Sequence, residues 1–237
     1  MQFTKGLGRA AKAICLLFHR EKSHALEVKD KYTVPRRIPK LTILVIADLH
    51  SCFRESMERL NIAAESESYD CVLFLGDIKA SDIRMIIPHT GGKPCFFVLG
   101  NHDEWHQNDN IDGIADIDGR TAVVNNVRIS GVSGAPRYKD GDWVMRTEEE
   151  LGKAIEKIGE TDILVSHESP HYLMSKNFAH CGYTAITDFL EKGDVPLHIF
   201  GHHHKDFEKV VGKTLEVCVY GCSVITTEPF AVKKISI

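Results

Sequence analysis

The stretch LTILVIADLH, residues 41–50, runs seven residues without a charge before reaching Asp48 and His50. An unbroken series of Ile, Leu and Val, with no polar alternation, fits a strand buried on both faces, as in a sheet covered by helices. Two side chains able to bind a metal follow it directly. Four more apolar runs share this design, at residues 71–75, 95–99, 163–165 and 197–200. They lead to Asp77, to Asn101 with His102, to His167, and to His202 with His204. Ligand sites in α/β sheets gather where loops project from the carboxyl ends of strands. Taken singly, each of these residues reads as a turn former, a helix cap or an ordinary histidine. Five strand ends carrying the same kinds of donor point to one site. Gly76, Gly100 and Gly201 each precede the polar residue, allowing a sharp turn and a close backbone approach.

Helical signals lie between these runs. Phe53, Met57, Leu60 and Ala64 recur at helical spacing, and Thr147 with Glu150 forms a capping box. The box predicts a helix that turns Leu151, Ala154, Ile155 and Ile158 inward and ends at Gly159. Strands alternating with helices argue for an α/β fold. After Gly201 the pattern changes to short strands at 207–211, 215–220, 224–227 and 232–237, read as antiparallel. Residues 123–131 read as strand, turn, strand about Asn125 and Asn126, so more than one sheet is expected.

With 237 residues, 43% hydrophobic and 26% charged, the chain has a globular composition and lies outside the disordered, fibrous and membrane-spanning classes. Its formal charge of −4 gives no footprint of a general nucleic-acid binder. Residues 1–40 nevertheless carry +7, against −11 for the remainder. Within that basic leader Leu7, Ile14, Leu17 and Phe18 share a helical face, better suited to docking on the domain than to a membrane surface. Pro35 and Pro39 mark a linker, so the expected division is 1–40, a basic helix and linker, and 41–237, the domain. Seven cysteines, an odd number without a C-x-x-C pair, suit a reducing compartment. With no apolar stretch of membrane length and no cleavage site after residues 10–18, the expected location is cytoplasmic.

D-L-H at 48–50, G-D at 76–77, G-N-H-D at 100–103, S-H at 166–167 and G-H-H-H at 201–204 together resemble the ordered motifs of the calcineurin-like metallophosphoesterases. The resemblance covers residues 41 to 205. It implies a four-layer α-β-β-α sandwich of two mixed sheets, with a dinuclear metal site at the carboxyl ends of the central strands. It further implies that Asp48, His50 and His204 hold one ion, that Asn101, His167 and His202 hold the other, and that Asp77 bridges them. Oxygen and imidazole donors without thiolate suit manganese first, with iron, zinc or nickel as alternatives. The implied activity is hydrolysis of phosphodiesters or phosphomonoesters by in-line attack of a metal-bridging hydroxide. His102 falls where the family places its acid, and Asp103 is expected to orient that imidazole.

H-x-H-x-D at 202–206 also resembles the start of the metallo-β-lactamase motif, but Phe207 stands where that motif needs a histidine. His203 is therefore expected beside the site or at the surface. The segment after Asp77 lacks the D-R-G of protein Ser/Thr phosphatases and the Tyr ligand of purple acid phosphatases. A small phosphoester, including a nucleotide, is the expected partner. Five acidic residues between Glu104 and Gly119 suggest a rim that disfavours long polyanions, so a nuclease served by the basic leader is the second reading. A non-catalytic scaffold is the third. Trp105 and His106 are candidates to stack on a base, and Arg137 and Tyr138 to reach a phosphate, although packing and a plain surface turn account for them equally simply.

Overall fold

The apolar runs form strands because both of their faces are covered. The computed structural model describes residues 36–50, 54–139, 141–171 and 180–237. The expected leader helix lies outside these residues, as does Pro35 at the start of the linker. The first sheet contains β1 (Thr42–Ala47), β2 (Cys71–Phe74), β3 (Cys95–Phe97), β4 (Ile114–Asp116), β13 (Gly221–Thr227) and β14 (Phe230–Ile235), in the order β14-β13-β1-β2-β3-β4. The second contains β5 (Arg120–Val124), β6 (Val127–Val132), β9 (Ile163–Ser166), β10 (Leu197–Phe200), β11 (Phe207–Val211) and β12 (Thr214–Cys218), in the order β11-β12-β10-β9-β6-β5. β7 (Ala135–Pro136) and β8 (Met145–Arg146) form a separate parallel pair.

Alternate residues of the strands explain the layers. Ile43, Val45 and Leu73 of the first sheet share a core with Ile129, Val165, Ile199 and Val217 of the second. Leu44, Ile46, Val72 and Phe74 turn outward onto Met57 and Leu60 of α1 (Arg54–Ser66) and onto Ile83 and Ile86 of α2 (Ala80–Ile86). Val132 and Leu164 pack on Leu151 and Ala154 of α3 (Glu148–Ile155) and on Ile186 and Leu190 of α4 (Thr184–Gly193). The result is the four-layer α-β-β-α sandwich with two mixed sheets. Burying each large aliphatic side chain contributes about 1.5–3 kcal/mol.

β1, β2 and β3 are parallel neighbours, as are β9 and β10. Their carboxyl ends therefore meet along one edge of the sandwich. The Thr147–Glu150 capping box is present, but α3 stops at Ile155, and Ile158 is buried beyond its end. The C-terminal hairpins are antiparallel, yet they do not form one unit. β12 pairs parallel to β10, whereas β13 crosses to pair antiparallel with β1. Ile38, expected in the linker, is 1% exposed and belongs to the core. The acidic segment is partly structural: Ile111 is buried, β4 extends the first sheet, and both carboxylate oxygens of Asp118 bind the Arg146 guanidinium at 2.7 and 2.6 Å, whereas Glu104, Asp109 and Asp112 are exposed.

Candidate metal centre

All seven metal-ligand candidates meet at that edge. Asp48, His50 and His204 present donor atoms within 4.8 Å of one another, as do Asp77, His167 and His202. Backbone conformation helps to aim them. Asp48, Asp77, His202 and His204 have φ values of 57°, 55°, 67° and 50°. Left-handed backbone is uncommon outside glycine, and such strain collects at functional sites. Gly100 permits the closest approach, since a Cβ there would overlap Asp77 Oδ1. A Cβ on Gly76, whose φ is +88°, would overlap the backbone of Gly100.

Asp77 stands at the centre. Its Oδ1 accepts the His102 backbone N–H at 2.7 Å. Its Oδ2 lies 2.7 Å from His50 Nε2 and 3.4 Å from His167 Nε2. The contact with His50 is off the line of a hydrogen bond, leaving both atoms buried without a hydrogen-bond partner, as Asp48 Oδ1 also is. His167 is fully buried, and its Nδ1 donates to the Leu75 carbonyl at 2.7 Å, which aims Nε2 into the site. That Nε2 lies 3.0 Å from Asn101 Oδ1 and 3.1 Å from His202 Nδ1. An imidazole acceptor, an amide oxygen and a carboxylate oxygen this close together require a shared cation, either a proton or a metal ion. The Asn101 amide is oriented by the 2.8 Å bond from its Nδ2 to Tyr138 Oη. The donors thus fit divalent metals, and these groups could hold them.

Titration reflects the same crowding. Burial pushes Asp48 up to about 6, against the charge of His167. Burial acts in the same direction on Asp77 but is outweighed by His167, His50 and the His102 N–H, which hold it far below the carboxylate range. Burial would lower His167, but the Asp77 carboxylate raises it to about 10.

A model of the family described as calcineurin-like phosphoesterase matches residues 41–206. The chain belongs to the calcineurin-like phosphoesterase family. No curated protein matches it in sequence. Among solved structures, TT1561 of Thermus thermophilus superposes with a TM-score of 0.63 at 13% identity, over 83% of this chain and 99% of that one. The phosphopantetheinyl hydrolase of Mycobacterium tuberculosis gives 0.53 at 15% identity, over 76% and 89%. An archaeal phosphodiesterase gives 0.53 at 11% identity, over 83% and 100%. At these identities the likeness is one of fold.

Other residues of this family member differ from expectation. Asp103 does not orient His102. Its Oδ2 accepts the N–H groups of Asp77 and Gly100, both at 2.8 Å, and its Oδ1 that of Ile78 at 3.2 Å, tying two strand-end turns together. The cause is the turn at Gly100, which brings the carboxylate back over the amides of the neighbouring loop. Arg137 is taken up by Glu150 at 3.2 Å, and Trp105 carries the Arg146 guanidinium 5.0 Å over its ring. His203 lies beside the site, with Nε2 3.5 Å from Glu168 Oε1.

Glu168 escaped the sequence reading. It is 0% exposed, and its Oε1 accepts from the backbone and hydroxyl of Ser169 at 2.7 and 3.0 Å. Its Oε2 stands 3.4 Å from His202 Nε2, behind the ring whose Nδ1 faces the site. Burial alone would raise this carboxylate, but His203, His202 and the Ser169 N–H lower it. The signal available was a Glu directly after a strand-end His. A further buried chain braces this turn: Glu216 to His198 Nδ1 at 2.7 Å, His198 Nε2 to Ser166 Oγ at 2.7 Å, and Ser166 Oγ donating to the Glu168 carbonyl at 2.6 Å. The order is that of a hydrolase triad, but all three residues are buried, so the serine is a brace and not a nucleophile.

Proposed function

We propose that this chain is a dinuclear metal-dependent phosphoesterase acting on small phosphodiesters or phosphomonoesters. The observation that supports it best is Asp77 Oδ2, which lies within reach of His50 on one side and His167 on the other. One carboxylate oxygen between two histidine sets suits a bridging ligand. Asp48, His50 and His204 would complete one cation site, and Asn101, His167 and His202 the other. Two divalent transition-metal ions, manganese first among them, would supply a water acidic enough to attack at neutral pH and would offset charge on the phosphoryl oxygens.

The chain's own residues provide the remainder. His102 is exposed at the mouth, edge-on to His50 at a centroid distance of 4.6 Å, and hands a proton to the departing oxygen. Partial burial holds its pKa below the ordinary value, against the pull of Asp77. An anionic phosphoryl group arriving beside it acts with Asp77 and restores its hold on a proton. Asp103 keeps the loops of Asp77 and Asn101 in register. Five described cysteines are free thiols, from which we infer a reducing, cytoplasmic setting. No helix among the described residues is long and apolar enough to cross a membrane.

Protein stripped by a chelator should be inactive on bis(p-nitrophenyl) phosphate and recover when manganese is returned. A full metal complement with no turnover on any mono- or diester would favour the scaffold reading. Glu168→Gln keeps the shape but removes the charge behind His202. Metal affinity, measured by chelator competition, should fall about 10- to 100-fold with an unchanged circular-dichroism spectrum. Unaltered affinity would reduce Glu168 to a packing role.

A further inference from the structure

We infer that the substrate is a phosphodiester whose retained group is bulky and apolar or aromatic, and that this group fills a cavity on the His204 side of the centre. The inference rests on the phosphoesterase reading and goes on to specify its substrate. A cavity of about 700 Å³ opens beside Asp48, His50 and His204 and runs between Ser56 of α1 and residues 235–237. That size matches sites for whole organic ligands, about 300–1,000 Å³, and far exceeds what a phosphoryl group needs. Leu49, Ile235 and Ile237 supply aliphatic wall. Tyr220 is 43% exposed, with its ring 5.3 Å from that of His204 and tilted by 34°. An exposed aromatic face beside a centre for phosphoryl chemistry suits a flat apolar group. Lys234, which lines the cavity, is paired with Asp206 at 2.9 Å, so among the described lining residues no lysine or arginine is left free for a second phosphate.

The placement of His102 assigns the two ester arms. The His50 ring contacts both His102, at 4.6 Å, and His204, at 5.1 Å, so the acid and the cavity flank it. In an in-line displacement the oxygen of water bonds to phosphorus as the P–O bond to the leaving alcohol breaks. The electron pair departs on that alcohol oxygen, which takes its proton from His102. The leaving arm therefore lies at His102, near Trp143 at a centroid distance of 6.5 Å. The retained ester arm is left for the cavity across His50. A monoester has no such arm and leaves the cavity unfilled.

The test holds the leaving group constant. Methyl and phenyl p-nitrophenyl phosphate, with p-nitrophenyl phosphate itself, are compared by kcat/KM, and calorimetry compares binding of methyl phenyl phosphate and dimethyl phosphate, which differ by one ring. Phenyl should exceed methyl by about 10- to 100-fold in both measurements, the worth of burying one ring, and the monoester should trail. Ser56→Trp, which fills the cavity from α1, should collapse the phenyl-to-methyl ratio through KM. A wild-type ratio near one, a monoester as good as the phenyl diester, or a ratio that survives Ser56→Trp would each overturn the inference while leaving the hydrolase intact. If no ester turns over, the hydrolase reading fails, and the binding ratio still decides whether the cavity takes the apolar arm.

Discussion

Asp77→Asn should leave a folded protein whose turnover of bis(p-nitrophenyl) phosphate is lower by on the order of 10³-fold or more, the scale of removing a central electrostatic group. That loss corresponds to about 4 kcal/mol at 1.36 kcal/mol per tenfold. The fold should survive for two reasons. Residue 77 has a φ of 55°, which Asn tolerates better than most residues, and an amide oxygen can still accept the His102 N–H. What disappears is the negative charge on the oxygen between His50 and His167. Metal content should fall with activity, and near-normal turnover would refute the bridging role.

His102→Ala should separate metal binding from catalysis. The contact that ties this residue to Asp77 comes from its backbone N–H, which alanine keeps. The ion complement should therefore match wild type, while the rate falls by about 10² to 10⁴, the usual contribution of a positioned acid. Esters of poor leaving alcohols should show the full loss, and p-nitrophenyl esters much less, because their leaving oxygen needs little help from a proton. A uniform loss across leaving groups, or loss of the metals, would assign His102 to the metal cradle instead.

The strand ends were legible because doubly buried strands and donor-bearing loops both leave one-dimensional marks. β1 and β10 span the residues that the apolar runs mark, and the loops after β1, β2, β3, β9 and β10 carry the expected donors. The role of Asp103 was not legible, since its partners are backbone amides that any sequence would offer. Glu168 was hidden for a related reason. A lone Glu carries no periodic signal, and its neighbour His202 is 34 positions away along the chain. The acidic segment was legible only in part because charge counts ignore pairing: Asp118 is matched by Arg146 while Glu104, Asp109 and Asp112 stay exposed, and the strand β4 is too short to show alternation. The C-terminal strands were visible as strands, but their division between two sheets depends on which edge each finds. Periodicity cannot encode that.

Diffraction from crystals soaked in manganese, collected where that metal scatters anomalously, tests the central claim most directly. Two peaks roughly 3.5–4 Å apart are predicted, with the Asp77 carboxylate between them, one flanked by Asp48, His50 and His204 and the other by Asn101, His167 and His202. A single peak, or a pair lying away from Asp77, would contradict it.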